Sequence, residues 1–210
     1  MSLHNPLHLL NAGRQFPSPL ANDIVTVARH ALDRQAAQLG LDGVDVVMYA
    51  SPWTIPETGM VGTAPDGYSV HLALTPTSTP FQEGWRQELP ATLAHELHHA
   101  ARWRHQGMGT LLDALVFEGL AQHFELTERR ERPIYAVPTT DLDALWTRAQ
   151  DELDGPYDYA AWFMGAPAAG LPRWGGYALG FELMRRGFEV QGGDAVSHVA
   201  TPADAFRGVW

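Results

Sequence analysis

Residues 94–100 read AHELHHA, three histidines and one glutamate set among small and apolar neighbours. On a helix, residues four apart project from one face, about 40° apart in rotation and roughly 6 Å apart along the axis. His95 and His99 therefore converge on one cation. Glu96 is rotated about 100° from His95, beside the metal rather than on it, where a carboxylate takes a proton from a metal-activated water. This is the physical content of His-Glu-x-x-His. By composition alone, the pattern arises in roughly two of every hundred shuffled sequences, so the helical context and a third ligand carry the argument further.

A catalytic zinc takes three protein ligands and leaves its fourth position to water. Glu118, 19 residues beyond His99, is the candidate third ligand. It falls on the next helix in a stripe with Leu111, Leu115 and Gln122, so its carboxylate faces where apolar residues expect a core. An ionised carboxylate there needs a countercharge, and a divalent cation supplies one. Gly119 follows at once, at a cost of about 1 kcal/mol against Ala in mid-helix; a close approach to the histidine helix is the expected reason. The chain has no cysteine, which excludes disulfides and thiolate ligands and leaves imidazole and carboxylate as the metal donors. His98 lies on another face with Ala91, Ala94 and Arg102 and is expected to pack or to support the ligands. His71, His105 and His123 read as ordinary histidines.

Around this motif the pattern is continuous, without internal repeats or low-complexity segments, and 210 residues fit one domain spanning 1–210. The spacing predicts a helix from Ser18 to Leu39, with Ser18 as cap, Pro19 in the first turn and Gly40 as stop. VDVVMYA (44–50) and YSVHLALT (68–75) read as strands, separated by a long turn-rich segment. A helix from about Leu89 to Gln106 carries the motif, with Pro90 in its first turn and Gly107 at its end. Thr110 with Asp113 resembles a capping pair that starts a further helix through Arg129. Residues 141–153 and 176–188 are the next helices, and the last twenty residues add short ones. The expected class is α+β: a mostly helical domain with a small sheet whose edge strand precedes the motif helix.

The formal net charge is −10, and no run of Lys or Arg builds the basic footprint that phosphate backbones require. Nucleic acid is not an expected partner. The N-terminal stretch MSLHNPLHLLNAGRQFPSPL lacks the basic and apolar regions of a signal peptide, and no stretch reads as a membrane span. A soluble, cytoplasmic protein is the expectation.

The order of strand, His-Glu-x-x-His helix and glutamate helix is similar to that of the gluzincin type of zinc peptidase. TLAHELHHAARW, TLLDALVFEGLAQHFE and LPRWGGYALGFELMRRGF together resemble the YjaZ-type family of predicted zinc-dependent proteases, most strongly over residues 89–190. The resemblance implies Zn2+ held by His95, His99 and Glu118, with Glu96 as general base and acid, and a peptide or protein as substrate. It also implies that the strand at 69–75 lies along the cleft and holds an extended peptide by its backbone edge. In related gluzincins a Tyr or His from the later helical region stabilises the oxyanion. Tyr177, in WGGYALG at a helix start, is the candidate here, with Gly175 and Gly176 allowing the backbone to approach the site; Arg173 is the second candidate. The other reading of Tyr177 is a core aromatic with its hydroxyl satisfied.

Two other functions fit the same residues. One is a zinc-dependent amidase on a non-peptide substrate, since the hydrolytic groups do not distinguish a protein from a small acylated compound. The other is a metal-bearing binding or regulatory protein without catalysis, using its acidic surface for partners.

Overall fold

The computed structural model describes residues 4–129 and 131–210. It divides into two compact units, the chain through Arg104 together with Thr127–Arg129, and His105–Leu126 together with the chain after Arg129.

The first unit begins with strand β1 (Leu7–Leu10) and helix α1 (Ser18–Leu39), followed by β2 (Asp45–Ala50), β3 (Met60–Thr63), β4 (Ser69–Leu74) and helix α2 (Thr79–Trp103). Helix α1 buries Ile24, Ala28, Ala31, Leu32, Gln35 and Ala36, which recur at helical spacing along one face. Its boundaries agree with the expectation, but its cap does not. Pro17 occupies the N-cap, and no side chain caps the helix, because Ser18 is already inside the first turn. Gly40 ends the helix in the left-handed conformation, at φ 64°.

Strands β2 and β4 are the two that alternation reveals; they pair in parallel, and Val46, Met48, Val70, Leu72 and Leu74 are buried. Two four-residue strands complete the sheet in the order β1-β2-β4-β3, with β1 parallel to β2 and β3 antiparallel to β4. The strand that precedes the motif helix is therefore not the sheet's edge. β4 is flanked by β2 on one side and β3 on the other, so both of its backbone edges are engaged, and the edge beside it belongs to β3. The sequence reading missed β3 because MVGT is four residues long, contains a glycine and lies in a segment dominated by turn residues.

Helix α2 starts ten residues before the expected point, at Thr79, and ends at Trp103 rather than near Gly107. Pro90 thus lies inside the helix, where it cannot donate a backbone hydrogen bond. Tertiary contacts outweigh that loss. Phe81, Trp85 and Leu89 are buried along the first half, Ser78 Oγ accepts from the Phe81 N–H at 3.4 Å, and Gln35 on α1 donates to the Pro90 carbonyl at 2.8 Å. At the other end Arg104, which follows the last helical residue, donates from Nε to the Gly67 carbonyl at 2.7 Å.

The second unit is built on helices α3 (Leu111–Arg129, of which the last three residues belong to the first unit), α4 (Leu142–Ala149) and α5 (Gly175–Gln191), with short turns between them. The expected capping pair forms reciprocally at the start of α3: Asp113 N–H donates to Thr110 Oγ1 at 3.1 Å, and Thr110 N–H donates to Asp113 Oδ2 at 3.0 Å. Asp141 caps α4 by accepting from the Asp143 N–H at 2.9 Å. The tail adds a short 3-10 turn at Ala203–Phe206. Among the described residues, no helix is long and apolar enough to cross a membrane.

Helices α3 and α5 touch backbone to backbone. A Cβ on Gly119 would stand 2.2 Å from the Gly180 carbonyl oxygen, and one on Gly180 would stand 2.4 Å from the Leu115 carbonyl oxygen. This corrects the expectation for Gly119: the glycine admits α5, the helix that carries GYALG, and not the histidine helix.

Candidate metal centre

From Leu93 to Arg102 every residue of α2 is buried. A helix covered on all sides ordinarily carries apolar residues throughout, yet this one holds His95, Glu96, His98, His99 and Arg102. Ionisable groups are kept in such surroundings only when they are matched by one another or by a ligand.

His95 and His99 behave as their spacing requires. Their rings lie edge to face, with centroids 4.5 Å apart and planes at 87°. His95, His99 and Glu118 form a buried group in which each residue offers one ligand atom, and these atoms all lie within 4.8 Å of one another. The three are 6, 7 and 5% exposed. Donors about 2 Å from a tetrahedral zinc stand roughly 3.4 Å apart, a separation within the 4.8 Å limit of this group. Two imidazoles and a carboxylate are also a donor set that zinc accepts. The site thus fits the metal both in spacing and in chemistry.

Glu96, itself buried, follows His95 on α2 and packs beneath the edge strand. A Cβ on Gly62 of β3 would come within 2.4 Å of Glu96 Cγ, so only glycine leaves room for this carboxylate. No sequence pattern singled out Gly62; its importance appears only when β3 is seen over the helix.

Around Glu118 stands a set of tyrosines. The Tyr159 hydroxyl donates to Glu118 Oε1 at 3.1 Å and lies 3.1 Å from the Tyr177 hydroxyl. Burial, then the nearby negative charge of Glu118, pushes the Tyr159 hydroxyl far above its ordinary pKa, so it keeps its proton. The same two causes raise Tyr157. Tyr177 occupies the first turn of α5, as its sequence position suggested, and its ring packs against Phe163 and Tyr135. Gly176 has a defined role as well: a Cβ there would meet the Phe163 ring at 2.8 Å.

The other candidates have surroundings of their own. The Arg173 guanidinium lies 3.7 Å from the centroid of the Trp174 ring, on an exposed residue. His98 is wholly buried. His123 stacks on Phe181 at 4.1 Å and bonds the Phe181 carbonyl oxygen through Nε2 at 2.9 Å; burial lowers its pKa and favours the neutral ring. Tyr159 escaped the sequence reading because nothing in PYDYAAWFM marks one tyrosine over another.

Residues 26–207 match the family model described as predicted Zn-dependent protease (DUF2268). The chain belongs to this family. The matched span includes His95, His99 and Glu118, the residues of the buried donor group. No curated protein matches the chain.

Proposed function

We propose that this member of the family is a zinc-dependent peptidase, with His95, His99 and Glu118 as metal ligands and Glu96 as general base and acid. The observation that carries the proposal is the buried His-His-Glu group, whose donors lie within 4.8 Å of one another, next to a glutamate in the base position of the motif. Zinc bound there supplies Lewis acidity, lowering the pKa of water toward about 7 and polarising the carbonyl. Glu96 takes a proton from the attacking water and passes it to the leaving amine nitrogen. Tyr177 is the candidate donor to the oxyanion that develops on the carbonyl. Both units belong to one catalytic domain in this reading, because the family match runs through each of them.

The edge of β3 favours a peptide as substrate. Gly59 accepts from the Thr75 N–H at 2.9 Å, so alternation along the antiparallel pair turns Val61 and Thr63 toward β4, and Met60 and Gly62 outward. The outward groups of Met60 are occupied: its carbonyl accepts from the Ile55 N–H at 3.1 Å, and its N–H donates to Thr58 Oγ1 at 3.2 Å. The Ala64 carbonyl accepts from Trp103 Nε1 at 2.8 Å. Gly62 therefore offers its N–H and C=O to an incoming strand, directly over Glu96. An extended peptide pairs with it by β-augmentation, and the substrate edge assigned to residues 69–75 on sequence grounds moves to Gly62.

The test is zinc content by elemental mass spectrometry on tag-free protein, run with Glu118→Ala, followed by a peptide cleavage survey with Glu96→Gln as control. The expected result is near one zinc per chain, lost in Glu118→Ala, and peptide hydrolysis that disappears in Glu96→Gln while zinc stays bound. Retained turnover in Glu96→Gln removes the assigned base, and no metal uptake removes the enzyme reading altogether.

A further inference from the structure

Tyr159 is tied to a proposed ligand and to a proposed catalytic group at once, and counting protons along that chain restricts what each hydroxyl does. An ionised carboxylate only accepts hydrogen bonds, so the 3.1 Å contact between Tyr159 and Glu118 Oε1 uses the single Tyr159 proton. The 3.1 Å contact between Tyr159 and Tyr177 must then be donated by Tyr177. The order of donation runs from Tyr177 to Tyr159 to Glu118.

We propose that Tyr159 is a positioning residue for the metal: its hydroxyl holds the Glu118 carboxylate through Oε1 and is itself oriented by Tyr177. The proposal rests on Glu118 being a ligand.

The surrounding frame suits this task. Tyr159 immediately precedes a π-helical turn at Ala160–Met164, a rare geometry that recurs at functional sites. The turn is pinned on several sides. Asp158 Oδ1 accepts from the Ala161 N–H at 3.0 Å, and Trp162 Nε1 donates to Glu152 Oε2 at 2.9 Å. The Tyr159 ring stacks on Phe163 at 4.5 Å, and Phe163 meets Tyr177 edge-on at 5.0 Å. One buried phenylalanine thus packs against both tyrosines, whose hydroxyls meet each other 3.1 Å apart, and the Tyr159 hydroxyl reaches Glu118.

The test is zinc affinity, measured by competition with a chelator of known strength, for the wild type, Glu118→Ala, Tyr159→Phe, Tyr177→Phe and the double tyrosine variant. Phenylalanine keeps the ring stack and removes only the hydroxyl. Tyr159→Phe is expected to weaken zinc binding about 10- to 100-fold, the usual effect of losing a group that orients a ligand. Tyr177→Phe is expected to weaken it by a smaller factor, and the double variant is expected to match Tyr159→Phe, because Tyr177 acts through Tyr159. Thermal unfolding of the metal-free proteins separates this from a general loss of stability, which would lower the melting temperature without following the affinity order.

Zinc affinity in Tyr159→Phe within twofold of the wild type overturns the proposal, as does a larger loss in Tyr177→Phe or additive losses in the double variant. If the wild type binds no zinc, or Glu118→Ala binds as tightly as the wild type, the ligand reading falls and takes this proposal with it. Binding that depends on Glu118 but not on Tyr159 removes this proposal alone.

Discussion

Gly119→Ala sets two effects of opposite sign against each other, and the structure decides between them. Helix propensity alone predicts a gain of about 1 kcal/mol, since Gly119 lies well inside α3. The packing predicts a loss. The new Cβ would stand 2.2 Å from the Gly180 carbonyl oxygen, more than 1 Å inside ordinary contact, which begins at 3.4 Å, and 2.7 Å from its carbon. The obstructing atoms are backbone, so no rotamer change relieves the clash, and α3 and α5 must move apart. Overpacking of this kind costs typically 1–3 kcal/mol and occasionally more, and the rigid obstruction puts this site at the upper end. The net expectation is a destabilisation of about 2 kcal/mol, or a melting temperature lower by about 4–8 °C for a chain of this length. Metal-free protein followed by circular dichroism measures it directly. Because Glu118 is the preceding residue, zinc affinity is expected to fall as well. A melting temperature equal to or above that of the wild type would refute the close-contact argument and leave helix propensity as the governing term.

Two other perturbations test different parts of the structure. Gly62→Ala places a Cβ 2.4 Å from Glu96 Cγ and is expected to abolish most peptide turnover while zinc content, read by elemental mass spectrometry, stays near that of the wild type; unchanged kcat/KM would separate β3 from the site. His123 is held neutral by burial, so its folded pKa lies below the unfolded value near 6.5. The unfolded chain therefore binds the extra proton first, and the stability this residue contributes is present above about pH 6.5 and lost as pH falls through the folded pKa. His123→Phe is expected to flatten the acid side of the melting temperature against pH profile, and an identical slope in the variant would remove the assignment.

Part of the site is local in sequence. His95, Glu96 and His99 follow from the helix period, and Thr110 with Asp113 follows from capping chemistry, so short segments of sequence contain both. Glu118 was legible because a carboxylate on an otherwise apolar stripe is an anomaly that a cation resolves. The class of the fold and the elements α1, β2, β4 and α3 were equally clear, since each has enough residues to display its period.

Tertiary structure decided the rest, because in each case the deciding partner is far away in sequence. Pro90 stays within α2 because Phe81, Trp85 and Leu89 are buried and Gln35 meets its carbonyl, and none of this is visible from the proline itself. MVGT becomes the sheet edge only through its pairing with β4, and Gly62 matters only because Glu96 fills the space its side chain would take. Gly119 announced a close approach but not which helix approached. Tyr159 had no signature at all: a hydroxyl becomes informative when its proton has a destination, and Glu118 lies 41 residues away.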